Sequence, residues 1–299
     1  MASAGNRPNR PGCARCWIVA ALAGIVLAIS AAHAEPLKII AAENFYGDIA
    51  HQIGGPDVVV VSVLSNPDQD PHEFEASPST ARAFAEARLV IYNGADYDPW
   101  AVKLLSASPS RSRVIIDVAA LARKGAGDNP HIWYQPDSVL LLARDLADQL
   151  VTLDPAHAAD YRQRLAIFEQ SMRPLSAWIS ELRGKYAGTP VTATEPVFGY
   201  MAEALGLDIR NRRFQLAVMN DTEPSAADIA AFQQDLRSRA VKVLIYNRQT
   251  SDALTRHMRE IAQQSGIPVV GVSETEPAGK DYQEWMRSQL DAIDRALAH

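Results

Sequence analysis

Cysteine is nearly absent from this 299-residue chain, which has only Cys13 and Cys16. Residues 17–299 therefore form no disulfide, hold no thiolate metal site and carry no cysteine nucleophile. The chain also lacks the H-E-x-x-H motif of zinc hydrolases and the G-x-S-x-G motif of serine hydrolases. These absences argue against the commonest forms of hydrolytic catalysis.

A long transmembrane run is missing as well, because the longest apolar stretch, 17–32, is shorter than the roughly 20 residues of a spanning helix. Three arginines and no acidic residue precede this stretch, and the small-x-small site A-H-A follows it. The pattern predicts a signal peptide, residues 1–34, cleaved after Ala34. A membrane anchor is the alternative. No cysteine follows the run, so we expect a periplasmic protein without a lipid anchor.

Positive charge is scarce in the predicted mature chain. Removal of residues 1–34 leaves 26 basic and 35 acidic residues, a formal charge of −9. This balance argues against nucleic acid as a partner and mildly favours cationic ligands. We expect a monomer with a sizeable core.

Short apolar runs rich in β-branched residues alternate with helical stretches along most of the chain. This alternation is typical of parallel strands that are covered on both faces. The runs are 37–43, 57–64, 89–94, 114–118, 190–195, 242–247 and 268–274.

The middle of the chain differs, because 155–186 shows helical periodicity and no strand pattern, with Pro174 expected to kink the helix. We therefore predict an α/β protein with two lobes of mostly parallel sheets flanked by helices and joined by one long backbone helix. The predicted boundaries are 35–152 for the N-terminal lobe, 153–187 for the connecting helix and 188–299 for the C-terminal lobe.

Two histidines directly follow prolines, His72 in DQDPHEF (68–74) and His131 in DNPHIWY (128–134). Proline has a fixed φ and restricts the residue before it, so both loops are stiffened beside an imidazole. A preorganised ligand loses less entropy when it binds a metal. The alternative is that both are turn prolines beside surface histidines.

Four ordered segments resemble the signatures of the zinc- and manganese-binding proteins of bacterial ABC importers (cluster A-I). They are NPDQDPHEFEASPSTARAFAEARLVIYNGADYDPW, DNPHIWYQP, TEPVFGYMAEALGL and VVGVSETEP with the following YQEWM. The resemblance covers nearly all of the chain after the predicted signal. It implies two α/β lobes bridged by a long helix, a metal between the lobes and docking onto the permease subunits of a membrane importer.

The resemblance also implies one metal ligand from each segment, namely His72, His131, Glu195 and Glu274. The fourth family ligand is usually an aspartate, so Glu274 departs from the pattern, and Glu276 is a rival two residues later. Glu195 and Glu274 both end apolar runs, and ligands of open α/β sheets bind beyond the carboxyl ends of strands. The alternatives are a helix-capping role for Glu195 and an exposed loop position for Glu274.

Two imidazoles and two carboxylates form a harder ligand set than three imidazoles, which slightly favours Mn²⁺, with Zn²⁺ nearly equal and Fe²⁺ compatible. We expect a periplasmic substrate-binding protein rather than an enzyme, with the metal as cargo. The rival classes are a periplasmic metallohydrolase, which needs an open coordination position, and a metal-dependent adhesin.

Overall fold

The computed structural model describes residues 1–3, 5, 35–67, 71, 74–250 and 252–298. The chain divides into two units, Met1–Glu35 and Pro36–His299, and every helix and strand given below lies in the second unit. The predicted signal peptide falls almost entirely outside the described residues and stays a prediction. In the part of the chain that is described, no helix is both long and apolar enough to cross a membrane.

Within the described ranges, eight parallel strands form two sheets of four, here called the N-terminal and C-terminal sheets. Their orders are β2-β1-β3-β4 and β6-β5-β7-β8. In both sheets the chain therefore turns to opposite sides of the first strand, which creates a crevice at the carboxyl ends of the two central strands. The strands are β1 (Leu37–Glu43), β2 (Val58–Leu64), β3 (Leu89–Tyr92), β4 (Val114–Asp117), β5 (Pro190–Ala193), β6 (Asp208–Arg210), β7 (Leu244–Asn247) and β8 (Val269–Val272).

The central strands are apolar on both faces because both faces are covered. In β1, Ile39 and Ala41 face a core cluster that is shared by both lobes, whereas Ile40 and Ala42 face a separate outer cluster. Leu244 at the start of β7 likewise faces an outer cluster on the C-terminal sheet. The predicted α/β class with parallel sheets is confirmed.

Eleven α-helices were found in the described residues, and several begin at a side chain that caps the free backbone N–H groups. Ser77, Ser225, Asp252 and Asp281 each accept a backbone N–H in the first turn. The helices are α1 (Asn44–Gly54), α2 (Pro78–Glu86), α3 (Pro99–Ala107), α4 (Val118–Leu121), α5 (Pro136–Leu153), α6 (Ala158–Tyr186), α7 (Gly199–Ala204), α8 (Arg212–Met219), α9 (Ala226–Arg237), α10 (Ala253–Gln264) and α11 (Tyr282–Leu297).

The predicted long helix is α6, whose 29 residues span about 44 Å and continue through Pro174. Phe168 and Met172 on this helix are buried in the shared core. Helix α11 packs on α6 and also on α1, so the last helix of the chain contacts the N-terminal part of the fold. Because both sheets share one core, the predicted lobe boundaries stay a prediction.

Candidate metal centre

His131 is buried to 0 % exposure in the loop before a short 3-10 turn, Ile132–Tyr134. Trp133 and Tyr134 in that turn are fully buried in the shared core. The aromatic side chains after the histidine therefore anchor the loop, and the imidazole cannot turn out to solvent.

Asn129 fixes the orientation of the His131 ring. Its amide Nδ2 donates to the Pro196 carbonyl at 2.8 Å, and that oxygen can only accept. The amide oxygen Oδ1 must then face His131, where it accepts the backbone N–H at 3.1 Å and lies 2.6 Å from Nδ1. The proton is therefore assigned to Nδ1, and the Nε2 lone pair is directed into the site.

The Nε2 atom of His131 lies 3.5 Å from Oε2 of Glu274, with both side chains at 0 % exposure. It has no hydrogen-bond partner among the described residues. A neutral imidazole nitrogen and a carboxylate oxygen are both acceptors, so a cation must join them when Nε2 carries no proton. A proton or a metal ion satisfies this pair.

Glu274 lies two residues beyond the end of β8 and is fully buried. Its Oε2 accepts the Tyr97 hydroxyl at 2.9 Å, and its Oε1 accepts Nδ2 of Asn247 at 2.5 Å. Its backbone N–H donates to Oε1 of Gln249. Burial, and next the charge of Glu274, raise the pKa of Tyr97 well above its ordinary value, so the phenol stays protonated and remains a donor. The alternative of an exposed loop position does not fit this burial.

Glu195 lies two residues beyond the end of β5 and is 3 % exposed. Its Oε2 accepts Nδ2 of Asn247 at 3.3 Å, so one amide group contacts both Glu195 and Glu274. Glu195 makes no capping hydrogen bond to the short turn that follows it. The helix-capping alternative for this residue is therefore not observed.

Glu276, the rival fourth ligand, has its backbone fastened to the start of α1. The Asn44 side chain donates to the Glu276 carbonyl at 2.7 Å and accepts its N–H at 3.1 Å. Burial raises the pKa of the Glu276 carboxyl to about 9, and the charges of Asp48 and Asp281 add to this. The carboxylate that meets His131 is that of Glu274.

His72 lies outside the described residues, so its place in the site stays a prediction. Within the described residues no three His, Asp or Glu side chains converge on one point that could hold an ion. The structure does bring His131 and Glu274 together and links Glu274 to Glu195 through Asn247. His51 and His257 are exposed on the surface of helices.

Sequence reasoning missed Asn247 and Tyr97 and assigned no role to Asn129. One sequence signal could have pointed to Asn247: the tripeptide IYN occurs at 91–93 and again at 245–247. Both asparagines are buried at the carboxyl ends of the central strands β3 and β7, beside the strand-order crevices. The repeat marks equivalent positions in the two sheets.

The fold consists of two parallel sheets joined by a long helix, and buried imidazole and carboxylate side chains lie near the carboxyl ends of the strands. This arrangement defines a two-lobed binding protein. Residues 39–296 match the family described as "Zinc-uptake complex component A periplasmic". The chain belongs to this family, and the resemblance seen in its four segments is confirmed.

Known relatives extend over nearly the whole chain. The chain is 25 % identical over 292 residues to the manganese ABC transporter substrate-binding lipoprotein PsaA of Streptococcus mitis, covering 90 % of this chain and 91 % of PsaA. The structure is similar to the periplasmic zinc-binding protein TroA of Treponema pallidum, with a TM-score of 0.75, 19 % identity and coverage of 89 % and 100 %. It is also similar to a mutant of the laminin-binding adhesin Lmb of Streptococcus agalactiae, with a TM-score of 0.72, 21 % identity and coverage of 87 % and 99 %.

Proposed function

We propose that the chain is a periplasmic substrate-binding protein that captures a divalent transition metal between its lobes and delivers it to an ABC-type importer. Membership of the zinc-uptake family and the names of its relatives support this class. The proposed ligands are His72, His131, Glu195 and Glu274. The cargo is Mn²⁺ or Zn²⁺.

The observation that carries the proposal is the buried pair formed by His131 Nε2 and Glu274 Oε2, 3.5 Å apart. Asn129 assigns the proton to the other ring nitrogen, so the pair presents two lone pairs to one point. Burying such a pair without a cation is costly, and a metal ion removes that cost. Two carboxylates among the ligands would also neutralise the charge of a dication.

Two imidazoles and two carboxylates suit Mn²⁺ and Zn²⁺ almost equally well. Carboxylates that bind through both oxygens would raise the coordination number toward the six typical of Mn²⁺, whereas one oxygen from each gives the four typical of Zn²⁺. The affinity order favours Zn²⁺ at almost any such site, so tight zinc binding alone does not identify the cargo. The metal content of the protein purified from its native periplasm identifies the cargo.

The first experiment measures the metal content and metal affinity of His131→Ala, Glu195→Gln and Glu274→Gln. Protein is purified without chelators or affinity metals, and Zn²⁺ and Mn²⁺ are then titrated against a competing chelator. We expect about one ion per chain in the parent and a loss of at least about 100-fold in affinity in each variant, because each removes one of the few ligands that a buried metal requires.

Glu276→Gln is the matched control, because it removes a neighbouring buried carboxyl and should leave the metal affinity within about threefold of the parent. If Glu276→Gln abolishes binding and Glu274→Gln does not, the fourth ligand has been assigned to the wrong glutamate. If the parent holds no metal and binds neither ion, the proposed function is wrong.

Export and delivery are part of the same proposal. Cleavage after Ala34 would release a periplasmic chain with no cysteine for a lipid anchor, unlike the lipoprotein PsaA. N-terminal sequencing of the periplasmic protein should begin at Glu35. The partner is the permease of a metal importer, and crosslinking of the loaded protein to that permease tests it; we propose that the binding protein acts as a monomer.

We further propose that the chain has no enzymatic activity, because four protein ligands leave no open position for a reacting water. Incubation of the zinc-loaded protein with ester, phosphoester and peptide substrates should give no turnover. The likeness to the adhesin Lmb, at 21 % identity, shows a shared fold and carries no argument for adhesion.

A further inference from the structure

Asn129 contacts the loops that carry two proposed ligands, His131 and Glu195. Its Oδ1 holds the ring and the backbone of His131, with Nδ1 at 2.6 Å. Its Nδ2 donates to the carbonyl of Pro196, the residue directly after Glu195, at 2.8 Å. One side chain therefore spans from the loop before α5 to the loop after β5.

The surroundings of Asn129 are built to accept this bridge. The Tyr200 hydroxyl donates to the backbone carbonyl of Asn129 at 2.8 Å. A Cβ atom at Gly199 would lie 2.9 Å from Asn129 Nδ2, closer than real Cβ contacts, so only glycine leaves the amide its full space. On the other side, Asn93 Nδ2 donates to the carbonyl of Pro130 at 2.8 Å. The two carbonyls that precede His131 are thus held by Tyr200 of α7 and by Asn93, which directly follows β3.

We propose that Asn129 is a positioning residue that couples metal binding at His131 to the placement of Glu195 across the two lobes. This rests on the proposed metal-binding function. The Oδ1 atom keeps the proton on Nδ1 so that Nε2 can bind, and Nδ2 keeps the Glu195 loop close to the same point. An outer partner of this kind typically changes metal affinity by 10- to 100-fold.

Three variants separate the two contacts. Asn129→Leu removes both, since leucine has a similar shape and no polar atoms. Asn129→Asp retains an oxygen for His131 but replaces the donor to Pro196 by an acceptor. Gly199→Ala leaves Asn129 unchanged and displaces its Nδ2; the backbone of Gly199 is helical, with φ −56° and ψ −52°, so alanine suits that conformation. Gly184→Ala in α6 is the matched control, because nothing lies within 4 Å of its Cβ position.

Two measurements are made on the chelator-treated full chain. The first is the tautomer of the His131 ring, from ¹⁵N chemical shifts of the imidazole. The second is the affinity and the dissociation rate of Zn²⁺ and of Mn²⁺, each with a competing chelator, and thermal unfolding is recorded in parallel. A purely structural role would lower the unfolding temperature without changing the tautomer.

Asn129→Leu should lose the Nδ1–H tautomer and bind metal about 10- to 100-fold more weakly, and Asn129→Asp should restore the tautomer. Gly199→Ala should retain the tautomer yet release metal about tenfold faster than Gly184→Ala. The reason is that the added methyl group displaces Asn129 Nδ2 from the Pro196 carbonyl. The proposal is overturned if Asn129→Leu keeps the tautomer and the parent affinity, or if Gly199→Ala and Gly184→Ala release metal equally fast. A parent that binds no metal would refute the proposed function instead, while the tautomer measurement would still report on Asn129.

Discussion

Asp98 should lower the free energy of unfolding as the pH rises, because its carboxyl is buried in the folded protein. It is 1 % exposed and accepts the backbone N–H groups of Asn93 at 2.6 Å and Gly94 at 2.9 Å. Burial raises the pKa of Asp98 from 3.8 to about 6, although these hydrogen bonds oppose the rise. Glu43, at the end of β1, is also fully buried, and burial and the charge of Asp98 raise its pKa well above the usual range.

The sign follows from the protons bound in each state. Between pH 3.8 and about 6 the folded protein holds a proton on Asp98 that the unfolded chain has lost. Stability is therefore greatest below this window and falls as the pH rises through it. The shift corresponds to a loss of about 3 kcal/mol. Asp98→Asn cannot titrate and should not show this loss, although the substitution also weakens one backbone contact at every pH.

The assay is urea unfolding of the metal-free parent and Asp98→Asn at about pH 4 and about pH 7. The stability of the variant relative to the parent should improve by about 2 kcal/mol between the two conditions, because at pH 4 the unfolded chain has already lost part of its proton on Asp98. Asp96→Asn, at an exposed position with a φ of 63° that asparagine tolerates, is the matched control and should follow the parent. If Asp98→Asn also follows the parent at both pH values, the buried titration has been assigned wrongly.

Three further predictions follow from single features of the structure. Trp285→Ala should lower the free energy of unfolding, measured by urea denaturation, by about 3–5 kcal/mol. The reason is that the fully buried ring packs against Phe45 and Tyr134. A loss below about 1 kcal/mol would contradict this packing. Asp252→Ala should cost about 1 kcal/mol by removing the N-cap of α10, and its metal affinity in chelator competition should equal that of the parent. Zinc affinity should fall as the pH is lowered, because the proposed ligands must be deprotonated to bind the metal, and a pH-independent affinity would argue against these ligands.

The elements that the sequence predicted well are those with a strong local signal. The run 37–43 coincides with β1, and the periodic stretch 155–186 contains α6. Strand β6 was missed, because three residues are too short to display a period.

The candidate site divides in a similar way. His131, Glu195 and Glu274 were chosen because the segments that contain them resemble family signatures. Their positions behind a proline or at the end of an apolar run agree with that choice. Their partners could not be chosen, because they come from distant segments. Tyr97 meets Glu274 across 177 residues, and Asn129 meets the Pro196 carbonyl across 67 residues.

The amino-acid sequence by itself determined the class of fold and the long helix, since both depend on local periodicity. Its resemblance to a family supplied the candidate ligands. The tertiary structure alone decided the order of the strands, and with it which residues meet at the carboxyl ends of the sheets. That order depends on how whole faces pack, which no short window of sequence records. It places Asn247 between two carboxylates and Asn129 between two lobes.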